Sequence, residues 1–102
     1  MKEKRSAGRI SVNHTVTLRV DDDQITGLLS DLSKVGALFV VEGTEQEKLD
    51  PEVLGLDASF VIKPKGKPAR RYRGEIVRYF IRDGKTHLAL RFWKGFEELT
   101  SP

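Results

Sequence analysis

Two runs of strand-like character, "RGEIVRYFI" and "THLALRFW", stand on either side of Asp83-Gly84. Asp-Gly between such runs is a strong hairpin signal, because the favoured two-residue connection needs left-handed backbone at both positions. It is the clearest local signal in the chain, and it commits its flanks to antiparallel pairing. Other segments follow the same two-residue period. In "VNHTVTLRV", Val16, Leu18 and Val20 alternate with Thr15, Thr17 and Arg19, the pattern of a half-buried strand. The acidic run Asp21, Asp22, Asp23 marks a turn. "QITGLLS" and "GALFVV" read as two further strands, the second ended by Gly43, and "ASFVIK" as a shorter one.

Between these strands the character changes. "TEQEKLDPEVLGLD" (44–57) is acidic and lacks the periodicity of a long helix, so a loop with one helical turn around Pro51 to Leu54 is predicted. "PKGKPARRY" reads as a basic, turn-rich connector, and "GFEELTSP" is a candidate short C-terminal helix. Five to seven short strands without a long helix predict an all-β fold, a small closed or nearly closed antiparallel barrel. The 102 residues suffice for one domain with one core, burying somewhat over ~60% of the unfolded surface. That domain is expected over 10–102, with the polar, basic residues 1–9 as a mobile arm containing Gly8.

Composition narrows the function. Without cysteine there is neither a disulfide framework nor a thiolate metal site, and His14 and His87 have no clustered carboxylates to complete one. No apolar run approaches the ~20 residues of a membrane span, and the polar start lacks a signal-peptide core, so a cytoplasmic protein is expected. The net charge of +3 hides a division. Bases dominate 1–9 and 63–85, whereas 42–57 holds Glu42, Glu45, Glu47, Asp50, Glu52 and Asp57 against Lys48. Such contrast favours an anionic partner at one face. Lysines and arginines that merely keep strand faces soluble account for any single base equally well.

Two stretches carry recognisable chemistry. In "DLSKVG", an extended chain would send Asp31 and Ser33 from one face, since they lie two residues apart. A carboxylate accepts hydrogen bonds and a hydroxyl both donates and accepts, which suits a guanine edge with its donors beside acceptors. Gly36 would let the backbone turn or approach a ligand closely. An Asx or Ser turn closed by glycine accounts for the same residue types. In "RSAGR", Arg5 and Arg9 lie four apart beside Lys4, and Gly8 argues against a helix. On a loose arm, two guanidinium forks can close over one anion, gripping phosphate or the guanine O6/N7 edge. A solvated basic terminus is the alternative.

Together, Arg-x-x-x-Arg before the first strand and Asp-x-Ser-x-x-Gly between later strands resemble the PilZ domain. The resemblance covers nearly the whole chain, through "RISVNHTVTLRV", "ITGLLSDLSKVGALFVV" and "RGEIVRYFIRDGKTHLALRF". It implies a six-stranded barrel from a bacterium that binds the second messenger cyclic di-GMP. Arg5 and Arg9 would then grip phosphates and guanine edges, Asp31 and Ser33 would bind a guanine, and Gly36 would shape the turn. Lys4 stands where many members carry a further arginine, and Val35 where many carry glycine. The resemblance further implies that Arg78 and Tyr79 could reach the ligand, that no cofactor is needed beyond it, and that a downstream protein reads out arm ordering, in motility or biofilm regulation.

Other residues point less specifically. Trp93 and Phe96 are expected to cap a barrel end rather than form a stacking surface. Lys63, Lys65, Lys67, Arg70, Arg71 and Arg73 read as a merely solvated connector, with steering of the anionic ligand or contact with a partner as the alternative. A single-stranded nucleic-acid-binding barrel is the second class of reading. It needs exposed aromatics interleaved with bases, which eight aromatics shared with a core supply poorly. A degenerate PilZ-like module without nucleotide is the third. An enzyme is not expected, because no nucleophile–base pair, phosphate-cradling glycine loop or metal cluster stands in the sequence.

Overall fold

The alternation of the first segment becomes burial: Val16, Leu18 and Val20 point inward while Thr15, Thr17 and Arg19 stay exposed. The computed structural model describes residues 10–41, 43 and 49–99, so the arm at 1–9 lies outside the described residues. Six strands are present: β1 (Ile10–Val20), β2 (Asp23–Leu32), β3 (Gly36–Val41), β4 (Asp57–Ile62), β5 (Ala69–Arg82) and β6 (Lys85–Leu99). They close into an antiparallel barrel in the order β1-β2-β3-β6-β5-β4.

Turn chemistry sets the corners. Asp83 (φ 54°) and Gly84 (φ 75°) are both left-handed, as a tight hairpin connection requires, and register Arg82 against Lys85. Asp21 (φ 51°) turns β1 into β2, and its amide donates to the Asp57 carbonyl at the start of β4. One turn of 3-10 helix at Pro51–Val53 is capped by the Asp50 carboxylate, which accepts from the Glu52 amide at 2.9 Å. Leu49 and Val53 bury against the core from this segment. Backbone bonds between Gly55 or Leu56 and Ile76 fasten it to β5.

The core is aliphatic with an aromatic centre. Phe60 meets Phe39 edge-on at 4.9 Å and stacks on Tyr72 at 5.1 Å, and Tyr72 lies 4.9 Å from Phe92. Offset and edge-on pairs of this kind contribute beyond the area they bury.

Two expectations about the type of element are overturned. Ala69 to Tyr72 are not connector but the first residues of β5, paired with Leu99 to Phe96 of β6, and Arg70 to Tyr72 also with Ile62 to Phe60 of β4. The candidate C-terminal helix is instead the end of β6, in strand conformation to Leu99. Both corrections have one cause. Cross-strand pairing draws each segment into extended backbone, with Phe96 against Tyr72 at 5.5 Å, Arg70 over the Phe96 ring at 4.2 Å and Arg71 beside Glu97 at 3.7 Å. Local composition carries no record of those partners.

Candidate ligand-binding cleft

The β2–β3 connection is shaped by its own serine. The Ser33 amide donates to the Gly36 carbonyl at 2.9 Å. The Ser33 hydroxyl accepts from the Val35 and Gly36 amides, each at 3.2 Å, and donates to the Gly36 carbonyl at 3.3 Å. The donor and both acceptor sites of the hydroxyl are therefore engaged within the turn. Gly36 is needed for a reason the sequence does not display. A Cβ there would collide with the Leu90 carbonyl oxygen of β6, so it is the closeness of β3 to β6 that excludes a side chain.

Asp31 reaches the surface through a bulge. The β2–β3 register shifts between Leu29 and Asp31, leaving Ser30 as an extra residue whose hydroxyl donates to the Leu38 carbonyl at 3.2 Å. Strict alternation would place Asp31 on the buried face with Leu29. The extra residue reverses the parity, so Leu32 is buried and Asp31 is only partly so. Ser33 lies beyond the strand, so the two residues converge because a turn follows the bulge, not because both sit on one extended face.

A second bulge completes the opposite wall. Between Ile76 and Arg78 the β5–β6 register shifts by one, with Val77 as the extra residue. Beyond it, Arg78, Phe80 and Arg82 line the cleft, while Tyr79 turns inward and packs against the core. Asp31, Ser33, Gly36, Arg78, Phe80 and Arg82 thus border one cleft of about 330 Å³, floored by Leu38 and Ala89. Arg78 and Arg82 lie over the Phe80 ring at 4.7 and 5.3 Å, and Phe80 stacks on His87 at 4.8 Å and 15°.

Of the residues expected from sequence, the structure brings together Asp31, Ser33, Gly36 and Arg78. Tyr79 does not border the cleft, and Lys4, Arg5 and Arg9 lie outside the described residues. Phe80 and Arg82 were missed. Their i, i+2, i+4 spacing with Arg78 marks one strand face, but the Val77 bulge that aims that face is silent in sequence. β1 begins at Ile10, whose register partner Leu32 borders the cleft, so the chain enters the barrel beside it.

Comparison with known proteins now decides the family. The profile of the PilZ domain matches residues 3–99. This chain belongs to the PilZ domain family. Solved structures that resemble it include the Bacillus subtilis inhibitor of motility (MotI/DgrA), with TM-score 0.62 and 14% sequence identity. That match covers 92% of this PilZ chain and 44% of the other, so the chain spans less than half of that protein, and identity so low speaks for the fold alone. Among curated proteins, no sequence matches it. The PilZ match agrees with the closed six-stranded barrel, and PilZ domains are receptor or adaptor modules, not a catalytic family. No helix among the described residues is long and apolar enough to cross a membrane.

Proposed function

We infer that this PilZ domain is a bacterial cyclic di-GMP receptor that signals to a partner protein. The observation carrying this reading is the Asp31–Gly36 turn beside a cleft walled by Arg78, Phe80 and Arg82, in a chain whose family match takes in Arg5 and Arg9. The ligand presents two phosphates and two guanines, so it needs cations, a base-edge acceptor and flat surfaces together. Arg5 and Arg9 supply forks, Lys4 supplies charge without a fork, and the Asp31 carboxylate accepts from guanine N–H groups. Ser33, with its hydroxyl committed to the turn, and Gly36, fitted against β6, fix where Asp31 sits. Arg78 and Arg82, held over Phe80, add charge and planar surface for a base.

Charge-assisted hydrogen bonds contribute about 1.5–3 kcal/mol each. Three or four, offset by ordering the arm, are enough for the roughly 8 kcal/mol of a micromolar complex. Closure of residues 1–9 over the ligand then alters the surface a partner meets. Calorimetric titration with cyclic di-GMP, with GMP and cyclic di-AMP as controls, tests the reading. Saturable binding selective for cyclic di-GMP is expected, weakened about tenfold or more by Arg9→Ala with the melting transition unchanged. No heat of binding, or an affinity indifferent to Arg9→Ala, overturns it.

A further inference from the structure

A concavity larger than this cleft lies away from it, on the outer face where β1, β4 and β5 meet. It measures about 980 Å³. It lies along the seam that closes the barrel, where pairing is short. β1 and β4 pair at Arg19↔Ser59 and Val20↔Ala58, whereas Thr17 and Val61, the next outward residues, line the hollow without being paired to each other.

Side chains on this face form bands running across the strands. Register aligns Arg19 of β1 with Ser59 of β4, and Ser59 with Arg73 of β5. Neighbouring strands lie ~4.8 Å apart, so the two arginines flank Ser59 within reach of one carboxylate. Neither has an ion-pair partner among the described residues, in contrast to Arg71, which pairs with Glu97. One step along the strands, roughly 7 Å away, Asp57 aligns with Glu75, and Asp21 is joined to Asp57 by its backbone. One step the other way is Val61, which is 44% exposed. Beside Arg73, the β5–β6 register shifts so that Trp93 to Gly95 oppose a single residue. Trp93 borders the hollow from this bulge and is 56% exposed, which overturns its expected place in the packing of a barrel end. Bulges commonly re-aim a side chain in this way at binding sites.

We propose that this banded face is a docking site for an extended segment of a partner protein reading base-x-acid-x-apolar. In an extended chain, alternate residues are spaced like the bands. The segment's base meets Asp57 and Asp21, its acid meets Arg19 and Arg73 beside Trp93, and its apolar residue covers Val61. A protein segment fits better than a nucleic acid, because the phosphates of a strand crossing the arginines would also meet the acidic band. β1 joins the two sites physically: it starts at Ile10 beside the ligand cleft and ends at Arg19 and Val20 in this face. The role of output face rests on the receptor reading; the capacity to bind does not.

The test uses Trp93, the single tryptophan, as a reporter. The blocked peptide Lys-Thr-Glu-Thr-Val and its isomer Glu-Thr-Lys-Thr-Val are titrated while Trp93 emission and amide resonances are followed. The first peptide is expected to move Trp93 emission and the Thr17, Ser59 and Val61 amides, and the isomer to bind about tenfold or more weakly. Arg19→Glu with Arg73→Glu, both exposed, should abolish the response while leaving the circular dichroism spectrum and cyclic di-GMP affinity unchanged. Equal binding of the isomers, no movement of those amides at millimolar peptide, or preferential binding of oligo-thymidine overturns the proposal. A protein that bound the peptide but not cyclic di-GMP would keep the docking face and remove the receptor reading.

Discussion

At Asp31 and Ser33 two polar residues of one motif divide the labour. Asp31 stands in a strand and borders the cleft, whereas the Ser33 hydroxyl is committed to the turn that follows. Asp31→Ala should therefore weaken cyclic di-GMP more than any residual cyclic di-AMP, because only guanine offers N1–H and N2–H donors to the carboxylate. Equal losses in competitive titration would remove its base-reading role. Gly36 makes a prediction of a different kind. Its missing side chain accommodates the β6 backbone at Leu90, so Gly36→Ala should destabilise the fold by about 1–3 kcal/mol. Urea denaturation checks this, and an unchanged midpoint would mean that β3 and β6 separate freely.

At the scale of elements, the hairpin and the bulges behave oppositely. The Asp83-Gly84 connection is legible in two letters, because left-handed backbone at both positions restricts the residue types that fit. Gly84→Val should cost about 1–2 kcal/mol, read as a lower urea midpoint with an unchanged slope. A shift below the error of the measurement would show that the strands, not the turn, hold the register. The bulges at Ser30 and Val77 carry no such signature. Each adds one residue whose effect is felt beyond it, turning Asp31 outward and exchanging the faces of Arg78 and Tyr79. The resemblance makes both Arg78 and Tyr79 ligand candidates, and the Val77 bulge separates them, with Arg78 and Arg82 facing the cleft and Tyr79 the core.

For the whole molecule, the longest runs of paired residues join β5 to β6 and β1 to β2, whereas β1 meets β4 over two paired positions. Ligand binding is expected to act at the end of β1 beside the cleft. Amide exchange of residues 3–9 should slow on adding cyclic di-GMP, because closing the arm over the ligand shields its backbone. Equal protection with and without ligand would end the idea that arm ordering carries the signal.

The order of strands along the chain, the hairpin, the acidic turn after β1 and the short helical turn at Pro51 were all decided by local residue types. Alternation and turn chemistry act over two to four neighbours, and a linear sequence displays such neighbours directly. The Asp-x-Ser-x-x-Gly stretch could be seen as a candidate site for the same reason. Its partners Phe80 and Arg82, the strand nature of Ala69 to Tyr72, the extension of β6 to Leu99 and the exposure of Trp93 were decided only when distant strands paired. Register between strands is set by backbone hydrogen bonds and packing among residues far apart in sequence. A single inserted residue there changes which face every later side chain takes, so the walls of the cleft exist only in the closed barrel.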